Sequence, residues 1–129
     1  VFVEEQLNVE ELSPLALAYV GDAVFELYIR TKLAAYPAKV HDLHRSAVKY
    51  VQAARQAEII HAWEPDLTDE EREVVRRGRN AKSGVPRSSG VAEYRYSTGM
   101  EALLGFLYLS GRQERLLQLL SRVTPTLDA

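Results

Sequence analysis

The sequence predicts an all-α fold, a helical bundle in a single domain. Three observations carry that. Apolar residues recur at helical spacing almost throughout, and no segment alternates with period two as a half-buried strand does. Capping signals stand in front of several of the apolar runs. Prolines stand at the ends of the runs or between them. With 129 residues, 47% of them apolar, one domain spanning 1–129 can bury a sizeable core.

The elements follow in order. Asn8 with Glu11 reads as a capping box, and Ser13-Pro14 as another start with proline at the first helical position. A long helix should run from there to about Ala35, where Tyr36-Pro37 breaks it. A second helix is expected from about Val40 to Trp63, stopped by Pro65. Thr68 with Glu71 is a further capping box, opening a helix to about Asn80. A-K-S-G-V-P-R-S-S-G, Ala81 to Gly90, is rich in glycine, proline and serine. It reads as a flexible basic loop of about 81–93, suited to touching a ligand. A helix from Ser97 or Thr98 to about Gly111 and a last one from Gln113 to about Val123 complete the chain. There is no internal repeat and no sign of a second domain.

Composition excludes several classes of function. There is no cysteine, which removes disulfides, thiolate zinc sites and cysteine nucleophiles together and favours a reducing, cytoplasmic home. No apolar run approaches the roughly 20 residues that span a bilayer, so no membrane partner is expected. The first residues, V-F-V-E-E-Q-L, lack the pattern of a secretion signal. The formal net charge of −2 speaks weakly against nucleic acid, but distribution matters more than the sum. Acids gather at Glu4–Glu11 and Asp66–Glu73. Between Arg76 and Tyr96 six basic residues (Arg76, Arg77, Arg79, Lys82, Arg87 and Arg95) face one acid, Glu93. That run continues into a loop followed by Tyr94 and Tyr96, which favours phosphate binding over a merely solvated helix end.

Two helices carry acids in unexpected company. Gly21-Asp22 interrupts an apolar run of Leu15, Leu17, Tyr19, Val20, Ala23, Val24 and Leu27. A mid-helix glycine costs about 1 kcal/mol relative to alanine, so close approach of another helix should offset it. In S-T-G-M-E-A-L-L-G-F-L-Y-L, Glu101 is a lone carboxylate with Gly105 one turn later on its face. If the glycine faces pack together, Asp22 and Glu101 converge. Two carboxylates at a helix crossing cannot both stay charged without a cation. Oxygen ligands without cysteine or histidine suit a hard ion, Mg²⁺.

Blander readings stand beside these. Glu101 could close a capping box with Thr98, and Asp22 could pair with an arginine in the core. Glu26 suits a salt bridge better than a third ligand, and His41, His44 and His61 lack metal spacing and read as structural or surface residues. On the residues alone a non-catalytic helical RNA-binding domain and a helical nucleotide hydrolase both stay open.

L-A-Y-V-G-D-A-V-F-E, Leu17 to Glu26, resembles the signature helix of the ribonuclease III family, and M-E-A-L-L-G-F-L-Y-L, Met100 to Leu109, resembles its second acidic helix. R-R-G-R-N-A-K at Arg76–Lys82 and Y-R-Y-S-T at Tyr94–Thr98 are similar to one bacterial branch, Mini-ribonuclease III, which consists of the nuclease domain alone. The resemblance covers roughly Leu12 to Leu120.

It implies a ribonuclease III-type endonuclease domain without a double-stranded-RNA-binding domain. It also implies a homodimer that cleaves both strands of duplex RNA, leaving 5′-phosphate and 3′-hydroxyl ends. Asp22 and Glu101 are the implied catalytic residues and metal ligands, with Mg²⁺ as cofactor and Mn²⁺ as a substitute. Arg76, Arg77, Arg79, Asn80, Lys82, Arg87 and Arg95 are the expected RNA-binding residues. The implied substrate is the 23S ribosomal RNA precursor, with a ribosomal protein on that substrate as a further partner. Two positions depart from larger members, which carry glutamate at Ala18 and aspartate at Thr98. With fewer carboxylates, Asp22 and Glu101 would carry more of the metal binding.

Overall fold

A computed structural model describes residues 7–81 and 90–127. Six α-helices make up these residues: α1 Pro14–Leu33, α2 Val40–Tyr50, α3 Ala53–Trp63, α4 Asp69–Asn80, α5 Val91–Leu109 and α6 Gln113–Leu120. Two 3₁₀ turns, Val9–Glu11 and Glu64–Asp66, complete the regular structure, and no strand occurs among the described residues. None of these helices is long and apolar enough to cross a membrane.

α5 is the axis of the bundle, and α1, α3 and α4 pack along it. The reason lies in its composition. From Ser97 to Leu107 every residue but Glu101 is buried, and Met100, Leu103, Leu104 and Leu107 are wholly so. A helix apolar on all sides must be surrounded. Phe25, Ile29 and Leu33 of α1, Ile60 and Trp63 of α3, and Leu119 of α6 complete the core. Ser13 caps α1 by accepting a hydrogen bond from the Ala16 amide, with Pro14 at the first position.

The capping box of Thr68 and Glu71 opens α4 as the spacing predicts. Glu71 does more than cap. Only 2% exposed, it accepts hydrogen bonds from Arg115 Nε at 2.8 Å and Nη2 at 2.9 Å, tying α4 to α6. These bonds hold its carboxyl below the usual range, against the opposing effect of burial. The chain after α6 is tied back by two tyrosines. Tyr28 donates to the Val123 carbonyl and the Thr126 amide donates to the Tyr50 hydroxyl, both at 2.9 Å.

Three expectations need correction. Asn8 caps a 3₁₀ turn by accepting from the Glu10 amide, and no capping box with Glu11 forms. The helix expected over Val40–Trp63 breaks at Val51–Gln52, although no glycine or proline stands there. The break lets α2 lie on α1 while α3 turns to α5, so tertiary packing overrides a continuous local preference. α5 begins at Val91, six residues before Ser97, and Thr98 sits mid-helix. Its hydroxyl donates to the Tyr94 carbonyl, so it caps nothing for Glu101. The apolar run of α1 divides between core and surface. Leu15, Tyr19, Ala23 and Leu27, four residues apart, lie on an exposed face, with Tyr19 83% and Leu27 65% exposed.

Candidate active site

The glycines set how closely α1 and α5 cross. A Cβ on Gly21 would lie 1.6 Å from the Glu101 carbonyl oxygen, and one on Gly105 would lie 1.9 Å from that of Leu17. Only hydrogen fits at either position, so backbone rests on backbone. That packing brings the side chains of the neighbouring residues together. Asp22, exposed, hydrogen-bonds through its carboxyl to that of Glu101, which is largely withdrawn from water. Burial pushes the Glu101 pKa up to about 8, and the hydrogen bond and charge of Asp22 reinforce it. Each acid is thus placed by the glycine packing that also offsets the glycines' helical cost.

Other possible ligands fall away from this pair. Ala18 and Thr98 are both buried and carry no charge. Glu26 accepts from Arg30 Nη2 at 2.7 Å on the surface. Asp22 has no arginine partner among the described ion pairs. His41 and His44 are exposed, and His61 Nδ1 lies 2.8 Å from Glu64. Among the described residues no three His, Cys, Asp or Glu side chains cluster as a metal site. What the pair offers is two carboxylates only.

The basic residues divide by environment. Arg76 is exposed, and its Nε donates to Glu73 at 2.7 Å. Arg77 and Asn80 are exposed on the last turn of α4. Arg79 is half-buried, its guanidinium 4.3 Å from the centre of the Tyr96 ring, and its Nε is buried without a hydrogen-bond partner. The Tyr96 ring also lies 4.2 Å from that of His61 in a tilted contact, so arginine, tyrosine and histidine meet across α4, α5 and α3. Arg95 is exposed on α5, part of the helix rather than of a loop. Lys82 and Arg87, with most of the loop expected at 81–93, lie outside the described residues.

One residue at the pair escapes a reading by residue type. Gln56 of α3 is 2% exposed and acts on the Glu101 carboxyl, drawing its pKa slightly down. Its Nε2 is buried and makes no hydrogen bond of good geometry. The signal was present: Gln56 shares the helical stripe of Ile59, Ile60 and Trp63, a polar residue on an apolar face.

Comparison with known proteins agrees with this architecture. The Ribonuclease III domain model matches residues 15–112. A Mini-ribonuclease 3 from Symbiobacterium thermophilum is 54% identical over 84% of this chain and 85% of its own. One from Thermoanaerobacter is 53% identical over 88% of this chain and 81% of its own. A crystal structure of a Fusobacterium nucleatum protein superposes with a TM-score of 0.82 at 31% identity, covering 88% of this chain and 93% of that one. The helices, the glycine-mediated crossing and these matches together show that the chain belongs to the ribonuclease III family, in its Mini-ribonuclease 3 branch.

Proposed function

We propose that this endoribonuclease hydrolyses double-stranded RNA with Asp22 and Glu101 as its catalytic carboxylates. The observation that supports this best is the carboxyl pair itself. Two acids are held side by side by backbone packing, one largely withdrawn from water and one open to solvent, at a standing electrostatic cost. A divalent cation relieves that cost. With only two carboxylates to offer, the pair suits an ion that keeps several waters and takes phosphate oxygens from substrate, which is the habit of Mg²⁺, with Mn²⁺ as a substitute. Bound there, the ion would supply an activated water and neutralise charge on the scissile phosphate.

The chain's own residues supply the rest. Glu101 is fixed from behind by the core and Asp22 meets the substrate side. Arg77, Arg79, Asn80 and Arg95 grip backbone phosphates, and Arg76, Lys82 and Arg87 extend that grip. In-line attack on phosphorus breaks its bond to the 3′ oxygen, which leaves as a hydroxyl, while the phosphate stays on the 5′ end. Duplex RNA is recognised by shape and 2′-hydroxyls, so sequence preference is modest.

Two copies join through the exposed face of α1. Leu15, Tyr19, Ala23 and Leu27 form an apolar stripe beside Asp22, and a homodimer covering it would present one site to each strand. The substrate is the 23S ribosomal RNA precursor, with a ribosomal protein bound to it as a further partner, in the cytoplasm. One assay tests the reading. The protein is incubated with duplex RNA, single-stranded RNA and nucleoside triphosphates, with Mg²⁺ or with chelator. Mg²⁺-dependent cuts restricted to the duplex are expected. Cleavage that persists in chelator, or hydrolysis of triphosphates alone, would overturn it.

A further inference from the structure

We propose that Gln56 is a positioning residue for Glu101, its buried amide set beside that carboxyl to fix the orientation in which it ligates the cation. This rests on reading Asp22 and Glu101 as the cation-binding pair. Three observations carry it. First, Gln56 lies on the face of α3 that turns to α5, among Ile59, Ile60 and Trp63, where an apolar side chain would pack without penalty. Second, its Nε2 is buried with no hydrogen-bond partner, and buried donors are rarely left so without a purpose. Third, the described polar groups acting on the Glu101 carboxyl are two, Asp22 and Gln56, and they come from different helices.

The geometry assigns them different tasks. A carboxylate has two oxygens and about four acceptor directions. Asp22 shares the outer side, where the cation and the RNA phosphate would be. Gln56, buried on α3, offers its Nε2 as a donor to the Glu101 carboxylate. Ligands to metals are commonly held by such outer partners. Ala18 and Thr98, one turn from Asp22 and Glu101, are buried and without charge, so the orientation of Glu101 weighs more.

The test compares wild type, Gln56→Met and Asp22→Asn by calorimetric titration with Mn²⁺, by duplex cleavage, and by thermal unfolding in metal-free buffer. Methionine keeps the length and volume of glutamine and removes the donor. Gln56→Met is expected to bind Mn²⁺ about ten- to a hundred-fold more weakly and to lose kcat by a similar factor, with KM for the duplex unchanged. Its metal-free midpoint should equal or exceed that of wild type, because an unpaired buried amide is gone. Wild-type Mn²⁺ affinity in Gln56→Met overturns the proposal, and so does a fall in the metal-free midpoint, which would make the amide a fold determinant. If Asp22→Asn also binds Mn²⁺ as wild type does, the cation-binding pair itself is wrong; if only Gln56→Met does, the pair stands and Gln56 alone is excluded.

Discussion

Gly21 of α1 rests its Cα against the backbone carbonyl of Glu101 in α5, so near that a methyl group there would meet the oxygen at 1.6 Å. The atom in the way is backbone of the most buried helix, which cannot step aside. Gly21→Ala is therefore expected to destabilise the fold by about 3 kcal/mol or more, since the helices must separate. Chemical denaturation measures it. Wild-type stability in the variant would mean that the crossing is looser than described.

Asp22→Asn keeps size and removes charge beside the same crossing. Cleavage of duplex RNA should be lost, while duplex affinity in chelator should be unchanged, because the arginines rather than Asp22 hold phosphate. Full cleavage by the variant would sink the mechanism. Ala18 and Thr98 carry no charge, and among the described residues no third acid joins the pair to compensate.

The raised pKa of Glu101 gives a signature in stability. A carboxyl that holds its proton more tightly folded than unfolded contributes stability that is fully present below about 4.5 and is lost as pH rises towards about 8. Glu101→Gln is neutral throughout, so it lacks that slope. In metal-free buffer at pH 7 it should be more stable than wild type by roughly 2–3 kcal/mol, allowing for partial solvent screening, and indistinguishable near pH 4.5. Added Mg²⁺ should raise the midpoint of wild type and not of the variant. Parallel pH profiles for the two proteins would refute the assignment of the burden to Glu101.

Arg79 is held against Tyr96 and Arg77 is exposed at the end of the same helix. Replacing both by alanine should weaken duplex binding and lower the slope of log affinity against log salt by about one unit for each phosphate left without its arginine. An unchanged slope removes them from the RNA interface. Arg76, already paired with Glu73, should matter less.

Charge on the exposed face of α1 tests the homodimer. Tyr19→Glu with Leu27→Glu should leave a folded monomer by sedimentation, because both side chains are exposed in the single chain. Cleavage should fall with the dimer. A dimer that survives both changes is built on another surface.

Much of this protein was legible without coordinates because the relevant signals are local. The Thr68–Glu71 cap, the start at Ser13-Pro14 and the stop after Leu33 depend on neighbours within a turn. The two glycine–acid pairs were legible for a related reason: each breaks a local preference, and a broken preference asks for a tertiary cause. Sequence alone thus determined an all-α bundle and the pairing of Asp22 with Glu101 as a hypothesis of site.

Long-range packing decided most of the rest. It split the Val40–Trp63 helix at Val51–Gln52, where two halves find different partners and no residue type marks the break. By contrast, α5 begins at Val91 for local reasons that its glycine-rich approach hides: alanine, glutamate and arginine favour helix, and Glu93 suits the first turn. Apolar residues of α1 look alike in sequence, yet Phe25 is buried and Tyr19 exposed, because the azimuth of a helix is set by what it packs against. Gln56 was marked in sequence only as a polar residue on an apolar stripe, which does not say what it meets. A glutamine is ordinary in any helix, and only the meeting of α3 with α5 sets its amide beside the carboxyl of Glu101.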